Sequence, residues 1–190
     1  MPVVHKKTMT HQIAVVVGSL RRDSFNRRLA TALAKLAPEF SFKQLEIGDL
    51  PLYNQDDDAS PAEPVKRLKS EIKAAQGVLF VTPEYNRSIP GVLKNAIDHA
   101  SRPYGQSAWS GKPAGVIGVS PGAISTAVAQ QHLRNILAYL DMPTLGQPEA
   151  FVRVSDGLFD KDGNIGADSS KFLGQWMQRY VAWVKLHSPG

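Results

Sequence analysis

Three short segments of the chain gather the residue types from which chemistry could be built. The first reads Gly18-Ser19-Leu20-Arg21-Arg22-Asp23-Ser24-Phe25-Asn26, between an apolar run and an amphipathic one. Hydroxyls, a guanidinium and free N–H groups at a helix start can hold a terminal phosphate, because the helix dipole favours the dianion and an arginine fork grips two oxygens at once. Ser19, Arg21, Ser24, Phe25 and Asn26 are the candidates there. The segment lacks the glycines of a dinucleotide fingerprint and the Gly-Lys-Ser/Thr of a P-loop, which disfavours both of those nucleotide modes. A plainer reading fits the same spacing: Ser24 caps the helix and the arginines are solvated.

The second segment, Thr82-Pro83-Glu84-Tyr85-Asn86-Arg87-Ser88-Ile89-Pro90-Gly91, sets polar groups beside an aromatic ring. Backbone groups held by Pro83 and Pro90, with Asn86, can satisfy the polar edge of a flat heteroaromatic such as a flavin, and Tyr85 can lie against its face. Glu84 is a general acid by type, yet no second carboxylate is placed to tune it. An ordinary turn with Tyr85 on the surface is the alternative. In the third segment, Ser120-Pro121-Gly122-Ala123-Ile124-Ser125-Thr126, Ser120 brings a hydroxyl and Gly122 permits close backbone approach. Ser125 or Thr126 as a simple N-cap suits it equally well.

All three segments stand where a strand hands over to a helix. Ile13–Val17, Val78–Val81 and Gly115–Val119 are continuous apolar runs of the kind buried on both faces of a parallel sheet. Phe40–Ile47 is less uniformly apolar and reads as an edge strand, and Phe151–Val154 as a last one. Between them, apolar residues recur every three or four positions: Phe25, Leu29, Leu33 and Leu36 up to Pro38; Val65, Leu68, Ile72 and Ala75; Val92, Leu93, Ala96 and Ile97 after Pro90; Ala127 to Leu140. A final helix carries Phe172, Leu173, Trp176, Met177, Tyr180, Val181 and Val184. Strict alternation requires a parallel sheet with helices on both faces, and five strands suggest the order 2-1-3-4-5. Ligands then bind beyond the carboxyl ends of the strands at the switch point, so the segments after the first, third and fourth strands should share one crevice.

Composition narrows the function classes. At 190 residues and about 150 per domain, one domain over 1–190 is expected, with 1–11 a flexible tail. No cysteine means no disulfide, thiolate nucleophile or cysteine-ligated cluster, so any redox role needs a borrowed cofactor. Apolar runs fall far short of the ~20 residues of a membrane span, and residues 1–11 hold no signal-peptide core, which points to the cytoplasm. The net charge of +5 suits an anionic ligand, but the basic residues are scattered with no long basic tract or aromatic ladder, which points away from nucleic acid. Histidines 5, 11, 99, 132 and 187 show no metal-ligand spacing, and no metal site is expected. The acidic run Asp56-Asp57-Asp58 reads as solvated loop.

Taken together, Gly18-Ser19-x-Arg21-x-x-Ser24-x-Asn26, Thr82-Pro83-Glu84-Tyr85-Asn86-x-Ser88-x-Pro90-Gly91-x-Leu93-Lys94-Asn95-Ala96-x-Asp98 and Gln131-His132-Leu133-Arg134 resemble the NADPH-dependent FMN reductase family, in particular its chromate and quinone reductase branch. The resemblance spans about Ile13 to Glu149. It implies a flavodoxin-like three-layer αβα sandwich that binds FMN non-covalently and assembles as a dimer or homotetramer. It further implies that Ser19, Arg21, Ser24 and Asn26 hold the phosphate, while Pro83, Glu84, Tyr85, Asn86 and Ser120 approach the isoalloxazine. His99 stands where that family carries Trp, a departure bearing on substrate preference, and Met1 to Gln12 is extra. The implied reaction passes electrons from NAD(P)H through FMN to quinones, azo compounds or metal oxyanions such as chromate, by a ping-pong scheme with no side-chain nucleophile. A flavodoxin-type electron carrier shares the fold and cofactor, but acidic surfaces are expected of such carriers and this chain is basic. A phospho-receiver domain shares the topology but needs an Asp where Val81 is followed by Thr82-Pro83.

Overall fold

A computed structural model describes residues 11–188. The elements run β1 (Gln12–Val17), α1 (Phe25–Ala34), β2 (Ser41–Gln44), a 3-10 turn (Gln55–Asp57), α2 (Glu63–Ala74), β3 (Gly77–Val81), α3 (Gly91–Ser101), β4 (Ala114–Ser120), α4 (Ala127–Tyr139), β5 (Phe151–Arg153) and α5 (Ala167–His187). All pairings are parallel and the order is β2-β1-β3-β4-β5, the flavodoxin-like arrangement expected.

Alternation along the strands distributes the apolar residues between two cores. Ile13, Val15 and Val17 of β1, Leu79 and Val81 of β3, and Ile117 and Val119 of β4 face α1 and α5. Ala14 and Val16, Val78 and Phe80, and Ala114 and Val116 face α2, α3 and α4. Each fully buried Val, Leu, Ile or Phe contributes about 1.5–3 kcal/mol of transfer free energy, so both layers are held by the pattern that made the runs legible.

Several boundaries differ from expectation. β2 keeps only Ser41–Gln44 of the expected Phe40–Ile47; Leu45 makes a last bond to Val15 and then turns into the core with Ile47. α1 stops at Ala34, four residues before Pro38. α5 begins at Ala167, ahead of the Phe172 at which the periodicity starts, and its first turn is not legible in the sequence because it carries no apolar face. Of the expected tail 1–11, only His11 falls among the described residues, and it packs on Phe40 with ring centroids 5.3 Å apart. Gln12, read as part of an extra segment, starts β1 and donates its N–H to Gln76 Oε1. Within the acidic run, Asp58 is not free in solvent but pairs with Arg102 at 3.3 Å. Among the described residues, no helix is long and apolar enough to cross a membrane.

Gly115 shows why β4 needs a glycine in the core: a Cβ there would stand 2.5 Å from the Tyr180 ring, which stacks on Trp176 at 5.6 Å. The Tyr180 hydroxyl is fully buried and has no hydrogen-bond partner among the described residues, and burial pushes its pKa well above the usual tyrosine value. Unpaired burial of a polar group costs about 1–3 kcal/mol, so Tyr180→Phe is expected to raise stability by about 1 kcal/mol in thermal unfolding. The fold prefers the neutral phenol, whereas the unfolded chain ionises near its ordinary value. This contribution is therefore present below about pH 10 and lost above it, and the phenylalanine variant should lack that alkaline loss.

Candidate functional site

β1 is followed by a helix on one face of the sheet and its neighbour β3 by a helix on the other, which opens a crevice at their carboxyl ends. Ser19, Arg21, Ser24, Phe25 and Asn26 line it from the first loop. Pro83, Glu84 and Tyr85 line it from the second, and Ser120 from the third. Nine of the eleven residues singled out in the sequence thus share one cavity of ≈ 170 Å³. Val119 and Pro121 complete its wall; neither carries a polar group that spacing could have flagged. A larger cavity of ≈ 290 Å³ beside Tyr53, His99 and Arg102 takes no wall from these three loops.

At the first loop, Ser24 is the N-cap of α1 and its Oγ accepts from Arg27 N–H at 3.3 Å. The N–H groups of Phe25 and Asn26 have no partner among the described residues, leaving two donors at the positive end of the helix dipole. Ser19 is buried and its Oγ lies 3.4 Å from Arg21 N. The Arg21 side chain is exposed, forms no ion pair among the described residues, and sits 5.8 Å from the centre of the Phe25 ring. Two free N–H donors, two hydroxyls and an uncompensated guanidinium form a cradle that fits a dianionic phosphate.

Asn26 lines the crevice with its backbone N–H free of partners among the described residues, while its side chain is engaged elsewhere. Its buried side chain donates from Nδ2 to Val119 O at 2.9 Å and accepts from Val119 N–H at 3.0 Å at Oδ1. That reciprocal pair ties α1 to the end of β4 and so fixes the width between the first and third loops.

The second loop is a tight turn. Tyr85 and Ser88 exchange both backbone bonds at 3.0 Å, with Asn86 and Arg87 at φ of +51° and +63°. Positive φ at both central residues is the requirement of a type I′ turn; Asn tolerates it, while Arg87 carries about 1 kcal/mol of strain. Asn86 does not line the crevice; the turn carries it past Tyr85, which remains half exposed. Glu84 is nearly buried, its side chain 7% exposed. Both of its oxygens accept: Oε2 from the N–H groups of Val128 and Ala129, Oε1 from Arg87. This is the setting of an acceptor and not of a general acid.

In the third loop, the helix start is capped neither by Ser125 nor by Thr126. Ser125 donates its hydroxyl to Val152 O, and Thr126 Oγ1 accepts from Gln130; Glu84 supplies the cap instead. Gly122 also falls outside the crevice. A Cβ there would have ordinary contact with Ser120 Oγ at 3.4 Å, so nothing in the structure requires its close approach. The glycine this edge needs is Gly118, where a Cβ would stand 2.1 Å from the Thr82 carbonyl. His99 lies away from the crevice wall, buried on α3, where its Nε2–H donates to Pro51 O at 2.9 Å.

Comparison with known proteins follows the same lines. The sequence pattern described as NADPH-dependent FMN reductase matches residues 11–155. A 2-hydroxy-1,4-benzoquinone reductase from Burkholderia sp. is 56% identical over 179 residues, covering 93% of this chain and 98% of the relative. A quinone reductase from Pseudomonas putida is 52% identical over 182 residues, covering 95% and 98%. Among solved structures, FerB from Paracoccus denitrificans, a flavoenzyme NAD(P)H:(acceptor) oxidoreductase, superposes with a TM-score of 0.90 at 46% identity, covering 94% of this chain and 99% of that one. With the cradle at α1, the three converging loops and these matches, the chain belongs to the NADPH-dependent FMN reductase family.

Proposed function

We propose that this chain is a single-domain, FMN-dependent NAD(P)H:quinone oxidoreductase. The observation that carries the reading is the anion cradle at the start of α1, with free Phe25 and Asn26 N–H groups beside Ser19, Ser24 and Arg21. Bound FMN would supply the two-electron transfer between NAD(P)H and the acceptor. The chain's own residues bind and orient. Ser19, Ser24, Arg21 and the two N–H groups would hold the phosphate, and Asn26 keeps the facing loop in register through Val119. Pro83, Tyr85 and Pro121 give flat or apolar walls for the ring system, Ser120 a hydroxyl, and the exposed half of Tyr85 a stacking surface for a flat acceptor. No side chain in the crevice is arranged as a nucleophile with its base, and none is required for transfer between stacked rings.

Quinones are favoured as acceptors by the names of the Burkholderia and Pseudomonas relatives. Azo compounds and metal oxyanions such as chromate belong to the same proposal, as do a cytoplasmic location and assembly as a dimer or homotetramer. Cofactor released by heat should be FMN and not FAD, because the first loop offers one phosphate site and no pyrophosphate fingerprint. Steady-state oxidation of NAD(P)H by a benzoquinone should give parallel double-reciprocal lines, since donor and acceptor take turns over one face. Released FAD, or intersecting lines, would count against the reading.

A further inference from the structure

Two side chains, Glu84 and His132, bind the Thr82–Ser88 segment to α4. Glu84 Oε2 accepts from the N–H groups of Val128 and Ala129 at 3.0 Å each, and His132 Nδ1 lies 3.0 Å from Ser88 Oγ one helical turn further on. Glu84 Oε1 takes the Arg87 guanidinium at 3.2 Å, so one carboxylate holds both the entry and the tip of the turn. A helix ordinarily satisfies its first N–H groups from its own N-cap side chain. α4 does not, because Thr126 in that position makes no such bond. Its cap comes from a loop 44 residues earlier in the chain, and the negative charge arrives at the positive end of the helix dipole.

The geometry gives this borrowed cap a second consequence. Glu84 stands between Pro83 and Tyr85, and α4 is entered directly from the loop that carries Ser120 and Pro121. Fixing Glu84 on α4 therefore fixes the two walls of the crevice relative to each other. Both loops need an external hold, since Asn86, Arg87 and Ser125 all have positive φ. We infer that Glu84 is a positioning residue that sets the spacing between the Pro83–Tyr85 and Ser120–Pro121 walls, and through it the affinity and orientation of the flavin ring between them, an inference that rests on the FMN reading above. It acts through the α4 amides and Arg87, not by transferring a proton.

The test compares Glu84→Gln and Glu84→Ala as full-length apoproteins titrated with FMN by fluorescence quenching, with the visible circular dichroism of the bound flavin and the amide hydrogen exchange recorded alongside. Glutamine keeps the reach, and its one carbonyl oxygen can accept from both amides, so its FMN affinity should stay within about threefold of wild type. Alanine leaves both N–H groups unpaired and should weaken FMN binding by about tenfold or more, change the sign or intensity of the flavin dichroism, and release Val128, Ala129 and Ser88 amides from protection together. A cap with a purely structural role would lower the melting temperature of Glu84→Ala but leave FMN affinity within about threefold of wild type and the dichroism unchanged well below melting, and that result overturns the inference. Should the wild-type chain take up no FMN, the FMN reading itself fails, and hydrogen exchange alone decides on the tie. Loss of protection at all three amides in Glu84→Ala then upholds it, and loss at Val128 and Ala129 with Ser88 unaffected overturns it.

Discussion

Replacing Asn26 with alanine is expected to lower the stability of the folded chain by about 2–5 kcal/mol, because it strands two buried backbone groups at once. Val119 N–H and Val119 O both bond to the Asn26 amide, at 3.0 and 2.9 Å, and Val119 is itself fully buried. Each group left unpaired costs about 1–3 kcal/mol, and a small side chain in place of the amide leaves no partner within reach. For a chain of this size about 1 kcal/mol corresponds to about 2–4 °C in melting temperature, so the variant should melt about 5–15 °C lower. Asn26→Asp is the sharper comparison, since it keeps the volume and the acceptor for Val119 N–H but sets a carboxylate oxygen against Val119 O. Aspartate should therefore be no better than alanine. A loss below about 0.5 kcal/mol for either variant would show that the pair is replaceable by solvent.

Arg21→Ala is expected to weaken FMN binding by about ten- to hundredfold while leaving stability nearly unchanged. A charge-assisted hydrogen bond contributes about 1.5–3 kcal/mol, and each 1.4 kcal/mol is a factor of ten in affinity. Arg21 is exposed and makes no ion pair among the described residues, so its removal gives up little beyond its place over the Phe25 ring. Lysine should restore affinity only in part, as it returns the charge without the planar two-pronged geometry that fits phosphate oxygens. Arg22→Ala serves as control, because Arg22 is exposed but does not line the crevice. Titration of each apo-variant with FMN decides the matter: equal affinities for wild type and Arg21→Ala would remove Arg21 from the site.

The contrast between these two residues shows what a sequence can express. Both fall in the same short motif, and spacing places both at the crevice, as the structure does. Spacing cannot distinguish a side chain that points into a cavity from one that turns inward to a strand end 93 residues away, because that contact depends on the packing of α1 against β4. The same limit hid the role of Glu84, whose partners are amides of a helix that begins far along the chain. It also directed attention to Gly122, the glycine in the obvious turn, when the steric demand falls on Gly118 inside β4. Strand order and the identity of the three loops were readable because apolar runs and 3.6-residue periodicity are local properties. β2 and the first turn of α5 departed from expectation where the local signal and tertiary packing diverge.

The division of the apolar residues between two sheet faces bears on thermodynamic linkage. α1 belongs to one core and α3 and α4 to the other, and the crevice is built from the loops that enter them. A ligand seated there touches parts of the chain that only the intact sheet brings together, so neither half-core alone retains the binding surface. Its binding free energy is then added in full to the unfolding free energy of the whole chain, by about 2.7 kcal/mol at a free concentration one hundred times its Kd. Cofactor occupancy thus raises resistance to unfolding, whereas a substitution far from the crevice that loosens either core weakens the apparent grip on the ligand only once it brings the unfolded fraction to an appreciable share of the chain.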